Sequence, residues 1–436
     1  MNEKKDITRD SIIVGFALFA TFFGAGNLIF PPSIGAASGT SWLPGLLGLI
    51  ATGIILPILS VLAISNAGGS FEQLSRPMSK WFNTVFNLFA MLAIATSITI
   101  PRTAATTHEL GIAPLLPGVP IIVTSVAFFA LNFYFANDKS NVIDKIGKIL
   151  TPALLIILLI IVATGFIAPV GSPSATGIEN PFTSAFLEAY QTGDLLTGLL
   201  CATVFISMIH GKGYIDESSK KKVTFNAAII SATGLIIVYG GLLYIGASGN
   251  SLFPADTNRA ALLIGLVEKL LGRAGVTGLS IAVVLACLTT AIGITASVAD
   301  FMSSFTRGKI SYRIWVGIVC IVGIFQSSMG VEAIINLAGP FFFACYPIAI
   351  LLTLFGLFKK YIPNDGAYKG AGALVLIVSL MESLSVAGIK SSFIEKILAA
   401  IPLSQYGFAW LIPAIAGFIA GALIFKLTPQ SKKENI

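Results

Sequence analysis

Long apolar runs alternate with short polar stretches along the whole chain. A run of about twenty apolar residues is long enough to cross a bilayer as an α-helix. The pattern therefore predicts an all-α, polytopic membrane protein. We expect twelve transmembrane helices, at residues 11–37, 42–65, 81–107, 118–136, 147–168, 192–211, 223–247, 275–301, 312–329, 333–357, 370–388 and 405–427.

The first predicted span contains residues that interrupt a helix. Two glycines, an asparagine and a proline pair lie within it, at Gly24, Gly26, Asn27, Pro31 and Pro32. Glycine and proline weaken helix propagation, and non-helical backbone at membrane depth is tolerated only inside protein or beside a polar cavity. We therefore expect a binding site at this point. The alternative is that the glycines only let a neighbouring helix pack closely.

A break in helix 1 offers groups for both ends of an amino acid. The free amides of Gly24, Ala25 and Gly26 begin the outer half-helix, where backbone N–H groups and the helix dipole favour a carboxylate. The inner half-helix ends in free carbonyls near Ala20 and Phe23, which suit a cation. The expected ligand is an amino-acid zwitterion, accompanied by an ion.

Composition supports the membrane assignment. Of the 436 residues, 55% are hydrophobic and only 11% are charged, whereas soluble proteins carry about 25% charged residues. The four cysteines all lie within apolar runs without the spacing of metal ligands, so disulfides and a cysteine metal site are not expected. The net charge of +7 does not indicate nucleic-acid binding, because the basic residues lie between the apolar runs.

The positions of the basic residues predict the orientation. With a cytoplasmic N-terminus, 21 of the 27 lysines and arginines fall in inner segments and five fall in outer loops. This bias follows the positive-inside rule, so we expect both termini to be cytoplasmic. In the outer connection at 248–274, an amphipathic stretch at 260–271 predicts either a short helix over the outer mouth or a plain linker.

The order of the spans is compatible with an internal repeat. Helices 1–5 and 6–10 would form two halves, at residues 1–168 and 169–357, and helices 11–12 with the tail would follow at 358–436. Since five is an odd number, the second half must be inverted relative to the first. Helix 6 should then be broken as well, and the candidate segments are Cys201-Ala202-Thr203 and Gly211-Lys212-Gly213.

The chain resembles the bacterial branched-chain amino acid carriers (BrnQ type, LIVCS family) in two motifs, Gly24-Ala25-Gly26-Asn27-Leu28-Ile29-Phe30-Pro31-Pro32 and Ile100-Pro101-Arg102-Thr103-Ala104. The first motif is also remotely similar to the broken helix 1 of LeuT-type sodium symporters. The resemblance implies a LeuT-like 5+5 inverted repeat with broken helices 1 and 6, plus two extra helices. It also implies a symporter in the bacterial cytoplasmic membrane that imports leucine, isoleucine and valine on a Na⁺ gradient.

The resemblance further implies the binding residues. Substrate would contact Phe23, Gly24, Ala25, Gly26, Asn27, Ala202, Thr203 and Phe205. One Na⁺ would be surrounded by the carbonyls of Ala20, Phe23 and Ala286 and the hydroxyls of Thr289 and Thr290, because hard cations take oxygen ligands. The alternative for the threonines is a hydrogen bond to their own helix. A second ion site would need Asn27 together with Thr203.

Two charged residues are candidates for a gate, Arg102 and Asp194. Arg102 follows Lys80 by 22 residues, about 33 Å along a helix, which places it near the outer interface. It either snorkels there or forms an outer gate with Glu109, Glu188 or Asp194.

Other classes of function fit the sequence less well. Proton coupling is the rival to sodium, but the midplanes of helices 1, 3, 6 and 8 contain no aspartate or glutamate. A carrier of another small solute, such as a nucleobase, would need more amide side chains near Asn27. A channel, a membrane enzyme or an ATP-driven pump would need filter residues, catalytic groups or a phosphate-binding loop. We therefore expect branched-chain amino acids and lipid as partners, and no enzyme activity, nucleic acid, ATPase subunit or cofactor beyond the coupling ion.

Overall fold

The computed structural model describes residues 6–24, 26–137 and 142–427, with the backbone alone for 142–152. Within these ranges the chain forms helices and no β-strand. The α-helices in chain order are α1 (Ile7–Phe22), α2 (Gly26–Ser38), α3 (Trp42–Ile50), α4 (Leu56–Ala67), α5 (Phe71–Ser75), α6 (Phe82–Phe89), α7 (Ile100–Thr106), α8 (Ile121–Asn137), α9 (Val142–Ile167), α10 (Pro181–Glu188), α11 (Asp194–Gly211), α12 (Glu217–Ser248), α13 (Arg259–Phe305), α14 (Tyr312–Ser327), α15 (Val331–Leu357), α16 (Asp365–Val386), α17 (Ser392–Ala400) and α18 (Leu411–Leu427).

Apart from the short helices α5, α10 and α17, these helices overlap the predicted apolar runs. In the described part of the chain, seven helical stretches are long and apolar enough to cross a membrane, and four shorter apolar helices accompany them. The protein is therefore a multi-pass helical membrane protein. Some helices extend beyond the apolar run: α12 begins at Glu217, well before residue 223, because the Asp216 carboxylate caps its polar first turn by accepting the N–H of Ser219 at 2.8 Å.

The amphipathic stretch at 260–271 is a helix and not a plain linker. It forms the first part of α13, and Gly272 separates it from the remainder with φ 63° and ψ −161°. Glycine adopts this backbone conformation readily, whereas residues with a Cβ atom do so rarely. Gly272 therefore divides α13 into a short first part and a long second part.

Both halves of helix 1 pack against α12. A Cβ atom on Gly35 would lie 1.9 Å from the carbonyl oxygen of Leu243, and one on Gly246 would lie 2.0 Å from that of Pro32. Small residues allow such close approach between membrane helices. The second half, α2, is thereby largely buried and also packs against α13.

The third predicted span is not one regular α-helix. The α-helical segments α6 and α7 alternate with π-helical turns at Ala90–Thr99 and Thr107–Ile112. A π-helical turn takes more residues than an α-helical turn, so it changes the direction of the side chains beyond it, and such turns are common at functional sites. Arg102 lies on α7 between the two π-helical segments, and α7 packs against α13 and α14.

Candidate functional site

Helix 1 is interrupted within the predicted segment. α1 ends at Phe22 and α2 begins at Gly26. Phe23 lies between them with non-helical dihedral angles, φ −86° and ψ 86°, Gly24 is half-buried, and Ala25 lies outside the described residues. The interruption predicted from the glycines, the asparagine and the prolines is confirmed. The amide of Gly24, which was expected to be free, instead donates to the carbonyl of Phe22 at 3.1 Å, because the backbone turns sharply at the break.

Asn27 closes this interruption by hydrogen bonds. Its side-chain amide donates to the carbonyl of Phe22 across the break, and the hydroxyl of Tyr239 on α12 donates to the same carbonyl at 3.3 Å. The amide also donates to the carboxylate of Asp194, at 3.1 Å to Oδ1 and 3.0 Å to Oδ2. Asn27 is 1% exposed and joins helix 1 to α11, and Tyr239 joins α12 to the same carbonyl of helix 1.

A second interruption lies beside the first. Gly193 has φ 78°, and it separates α10 and a 3₁₀ turn at Ala189–Thr192 from α11, which begins at Asp194. Asp194 is 4% exposed. In the described part of the chain it forms no ion pair within 4 Å, although its carboxylate accepts the two bonds from Asn27.

The break expected at Cys201-Ala202-Thr203 is absent, and that prediction is wrong. α11 is continuous from Asp194 to Gly211, and residue 202 lies within it. Thr203 is exposed and lies nine residues beyond Asp194, about 14 Å along the axis. The segment Cys201-Ala202-Thr203 contains neither glycine nor proline, whereas the actual interruption coincides with Gly193, which lies in the left-handed region.

Arg102 is buried against the break and does not snorkel. Its side chain is 3% exposed, and Nη1 donates to the carbonyl of Gln191 at 2.6 Å. A Cβ atom placed on Gly26 would lie only 3.0 Å from Arg102 Nη2. The guanidinium carbon also lies 5.8 Å from the ring centroid of Phe30 on α2, a cation–π contact.

The ion pairs expected for Arg102 are not formed in the described part of the chain. Asp194 contacts Asn27 instead, Glu188 pairs with Arg259 at 3.1 Å, and Glu109 accepts the backbone N–H of Val331 at 2.8 Å. Arg102 and Asp194 therefore flank the same break without pairing with each other.

The apolar residues expected near the substrate are buried. Phe23 stacks on Phe19 with ring centroids 5.4 Å apart and lies 6.0 Å from the ring of Tyr239. Ala202 and Phe205 are 0% and 4% exposed. Tyr239 and Gln191 are site residues that the sequence analysis missed, since each reaches the break from a distant segment and neither lies in a recognisable motif.

Thr289, one of the expected sodium ligands, forms its hydrogen bonds within its own helix. The Thr289 hydroxyl donates within its own helix, at 3.1 Å to the carbonyl of Leu285 and 3.0 Å to that of Ala286. This is the alternative stated for adjacent helix threonines. Ala20, Ala286 and Thr290 are half-buried, and the described chain shows no hydrogen bond between the threonines and helix 1. The sodium site stays a prediction.

Comparison with known proteins identifies the family. The profile described as branched-chain amino acid transport protein matches residues 7–428. The branched-chain amino acid permease BraB of Bacillus subtilis (strain 168) is 31% identical over 436 residues, covering 98% of both chains. The chain belongs to the branched-chain amino acid transport protein family. This is a family of transport proteins rather than enzymes, and the resemblance inferred from the two motifs is confirmed.

Further relatives and solved structures agree with this membership. The branched-chain amino acid transport system 2 carrier protein of Pseudomonas aeruginosa is 30% identical, covering 97% of this chain and 98% of its own. The inward-facing conformation of Mhp1 matches with a TM-score of 0.63 at 16% identity, over 96% of this chain and 91% of that one. A Na⁺-coupled sialic acid symporter matches with a TM-score of 0.55 at 19% identity, over 96% and 90%. The likeness to these structures shows that this chain has a LeuT-type fold.

Proposed function

We propose that the protein is a symporter that imports leucine, isoleucine and valine across the bacterial cytoplasmic membrane on a Na⁺ gradient. The observation that carries this proposal is the pair of buried, oppositely charged residues beside the break of helix 1, Arg102 and Asp194. Membership of the family, together with the names of its relatives, supports the branched-chain substrates.

Each end of an amino-acid zwitterion has a counterpart at the break. The guanidinium of Arg102 and the amides that begin α2 suit a carboxylate. The carboxylate of Asp194 and the carbonyls that end α1 suit an ammonium group. Phe23 and Phe205 supply apolar surface for an aliphatic side chain. Such a surface distinguishes substrates by only about 1–3 kcal/mol per methylene, so we expect overlapping transport of the three amino acids.

Na⁺ and H⁺ are the two candidates for the coupling ion, and each is supported by a different observation. The oxygens of Ala20, Phe23, Ala286, Thr289 and Thr290 are the set that the resemblance assigns to Na⁺. Proton coupling is the second candidate, and the structure favours it more than the sequence does, because Asp194 is a buried acid at the break of helix 1. A buried carboxylate is a common proton-carrying group in transporters.

The finer architecture also belongs to this proposal. We infer twelve spans with both termini cytoplasmic, and a 5+5 inverted repeat in which α10 and α11 together form a helix 6 broken at Gly193. The two interruptions, at residues 23–25 and at Gly193, lie beside each other through the contact of Asn27 with Asp194. Adjacent broken helices are typical of inverted-repeat transporters with a central binding site.

Uptake of labelled leucine into proteoliposomes tests the proposal. We expect accumulation with an inward Na⁺ gradient at equal pH, and none with a pH gradient alone or with neither gradient. Arg102→Gln and Asp194→Asn should each lower uptake at least about a hundredfold, since each removes a charge that the zwitterion needs. Arg273→Gln and Asp256→Asn are matched controls at exposed positions and should transport normally.

Three outcomes would contradict parts of the proposal. Uptake driven by a pH gradient alone would replace Na⁺ by H⁺. Normal leucine uptake by both Arg102→Gln and Asp194→Asn would remove the site from the break. Uptake of uracil or a hydantoin in place of leucine would favour the other small-solute carrier.

A further inference from the structure

Arg259 joins two carboxylates from different helices. Its guanidinium donates to Glu188, at 3.1 Å from Nη2 and 3.3 Å from Nε, and Nη1 donates to Glu332. Its backbone N–H donates to Glu332 as well, at 3.0 Å. Arg259 begins α13, Glu188 ends α10, and Glu332 lies in the first turn of α15. One side chain thus links the ends of three elements.

Arg259 also contacts helix 1. Its guanidinium carbon lies 5.7 Å from the ring centroid of Phe30, and that of Arg102 lies 5.8 Å from the same ring. Phe30 lies on α2 and is 0% exposed. The ring is therefore shared by the cation at the break and the cation that holds the three elements together.

Two further hydrogen bonds lie at the junction of α10, α13 and α15, the place where Arg259 links these helices. Asn258 caps α13 by accepting the N–H of Ala260 at 2.8 Å, and Glu109 accepts the N–H of Val331 at the start of α15. Arg259 thus pairs with two carboxylates, Glu188 and Glu332. Without that cation, the junction would hold uncompensated negative charge on two carboxylate side chains that are only 21% and 31% exposed, which is unfavourable.

We propose that Arg259 is the positioning residue that closes the outer side of the transport path, by neutralising Glu188 and Glu332 and packing over Phe30. The role as part of a transport path rests on the proposed function. The arrangement predicts that loss of Arg259 opens the path down to the level of Arg102, whereas simultaneous neutralisation of the two carboxylates closes it again.

Cys287 is a native reporter of this opening. It lies on α13, is 1% exposed, and is close to Thr107 and Arg102. A background variant in which Cys201, Cys320 and Cys345 are replaced by alanine leaves it as the single thiol. In right-side-out vesicles, a membrane-impermeant methanethiosulfonate reagent then measures access to Cys287 from the outer side.

In this background we expect Arg259→Gln to speed outer labelling of Cys287 by about tenfold, as the open conformation gains population. The triple variant Arg259→Gln, Glu188→Gln, Glu332→Gln should return to the slow rate, because no uncompensated charge remains. Arg273→Gln, on the same helix beyond Gly272 and exposed, should label as the background does. Inside-out vesicles of Arg259→Gln should label no faster than the background, which separates opening from misfolding.

Equal outer labelling of the background and Arg259→Gln would overturn the proposal, and so would fast labelling of the triple variant. Labelling needs neither substrate nor gradient, so it is independent of the proposed function. Absence of leucine uptake with the expected labelling pattern would refute the function alone. Normal leucine uptake with unchanged labelling would refute the role of Arg259 alone.

Discussion

At the scale of single residues, the site depends on how closely Arg102 approaches the backbone of the break. The guanidinium is held by the carbonyl of Gln191 and lies against Gly26, where no side chain intervenes. Gly26 lies in α2 and is not among the glycines with positive φ, so it is needed for space rather than for backbone conformation. The sequence indicated an effect on the helix, whereas the requirement for space depends on a residue 76 positions away.

Gly26→Ala should displace this guanidinium. The added Cβ would lie 3.0 Å from Arg102 Nη2 and 3.2 Å from Cζ, closer than ordinary packing allows, so the guanidinium must shift. We expect the KM for leucine to rise about tenfold or more, as misplaced binding groups commonly cause. Leucine uptake by purified, reconstituted protein measures this.

The matched control is Gly278→Ala on α13, where a Cβ atom meets nothing within 4 Å. Its KM should equal that of the unmodified protein. An unchanged KM in Gly26→Ala would mean that the guanidinium has no part in binding substrate.

At the scale of helices, the N-terminal part of helix 1 is fastened to the end of α11. Asp10 accepts from Lys212 Nζ at 2.6 Å and from the hydroxyl of Tyr214 at 2.9 Å. Asn27 makes the corresponding connection at the breaks, through Asp194. Helix 1 and α11 are thus joined in the first turn of α1 and again at the break, as two elements that move together would be.

Asp10→Asn should loosen the connection between α1 and the end of α11. The substitution removes the charge on a partly buried ion pair, worth about 1 kcal/mol, so we expect the maximal rate of leucine uptake to fall about fivefold. The KM should change little, because the binding groups lie at the break. Uptake rates at several leucine concentrations separate the two parameters.

Glu217→Gln is the comparison, because the Glu217–Lys220 pair lies within one helix and the glutamate side chain is 70% exposed. It should transport at the normal rate. A rise in KM with a normal maximal rate in Asp10→Asn would be the opposite of the expected pattern.

At the scale of the whole molecule, the proposed symport moves net charge. A zwitterion carries none, so each coupled cation brings one positive charge inward. A membrane potential of 100 mV is worth about 2.3 kcal/mol per charge. The potential alone should therefore support accumulation when the substrate and ion concentrations are equal on both sides.

Proteoliposomes with an outward K⁺ gradient and valinomycin test this expectation. With one cation per substrate, an inside-negative potential of 100 mV should raise the leucine accumulation ratio about fiftyfold. An inside-positive potential should suppress accumulation. Accumulation that ignores the sign of the potential would contradict symport of a zwitterion with a net positive charge.

Much of this fold was predictable because the free energy of transfer from water to lipid depends on the residues of each segment separately. Apolar runs mark helices, and basic residues bias orientation, without reference to the rest of the chain. The interruption of helix 1 was predictable for the same reason, since glycine and proline act on their own turn of helix. The two motifs at residues 24–32 and 100–104 then identified the family.

Only the tertiary structure decided which groups meet at the break. Asn27 and Asp194 are 167 positions apart, Arg102 and Gln191 are 89 apart, and Arg259 and Glu332 are 73 apart. The interruption at Gly193 was missed because one glycine before an aspartate is also found at the ordinary start of a helix. The burial of Arg102 was missed because its partner is a backbone carbonyl from another segment. Every residue has such a carbonyl, so the pattern of side chains does not indicate this partner. Such contacts depend on the packing of all the helices together, so no local property of the sequence specifies them.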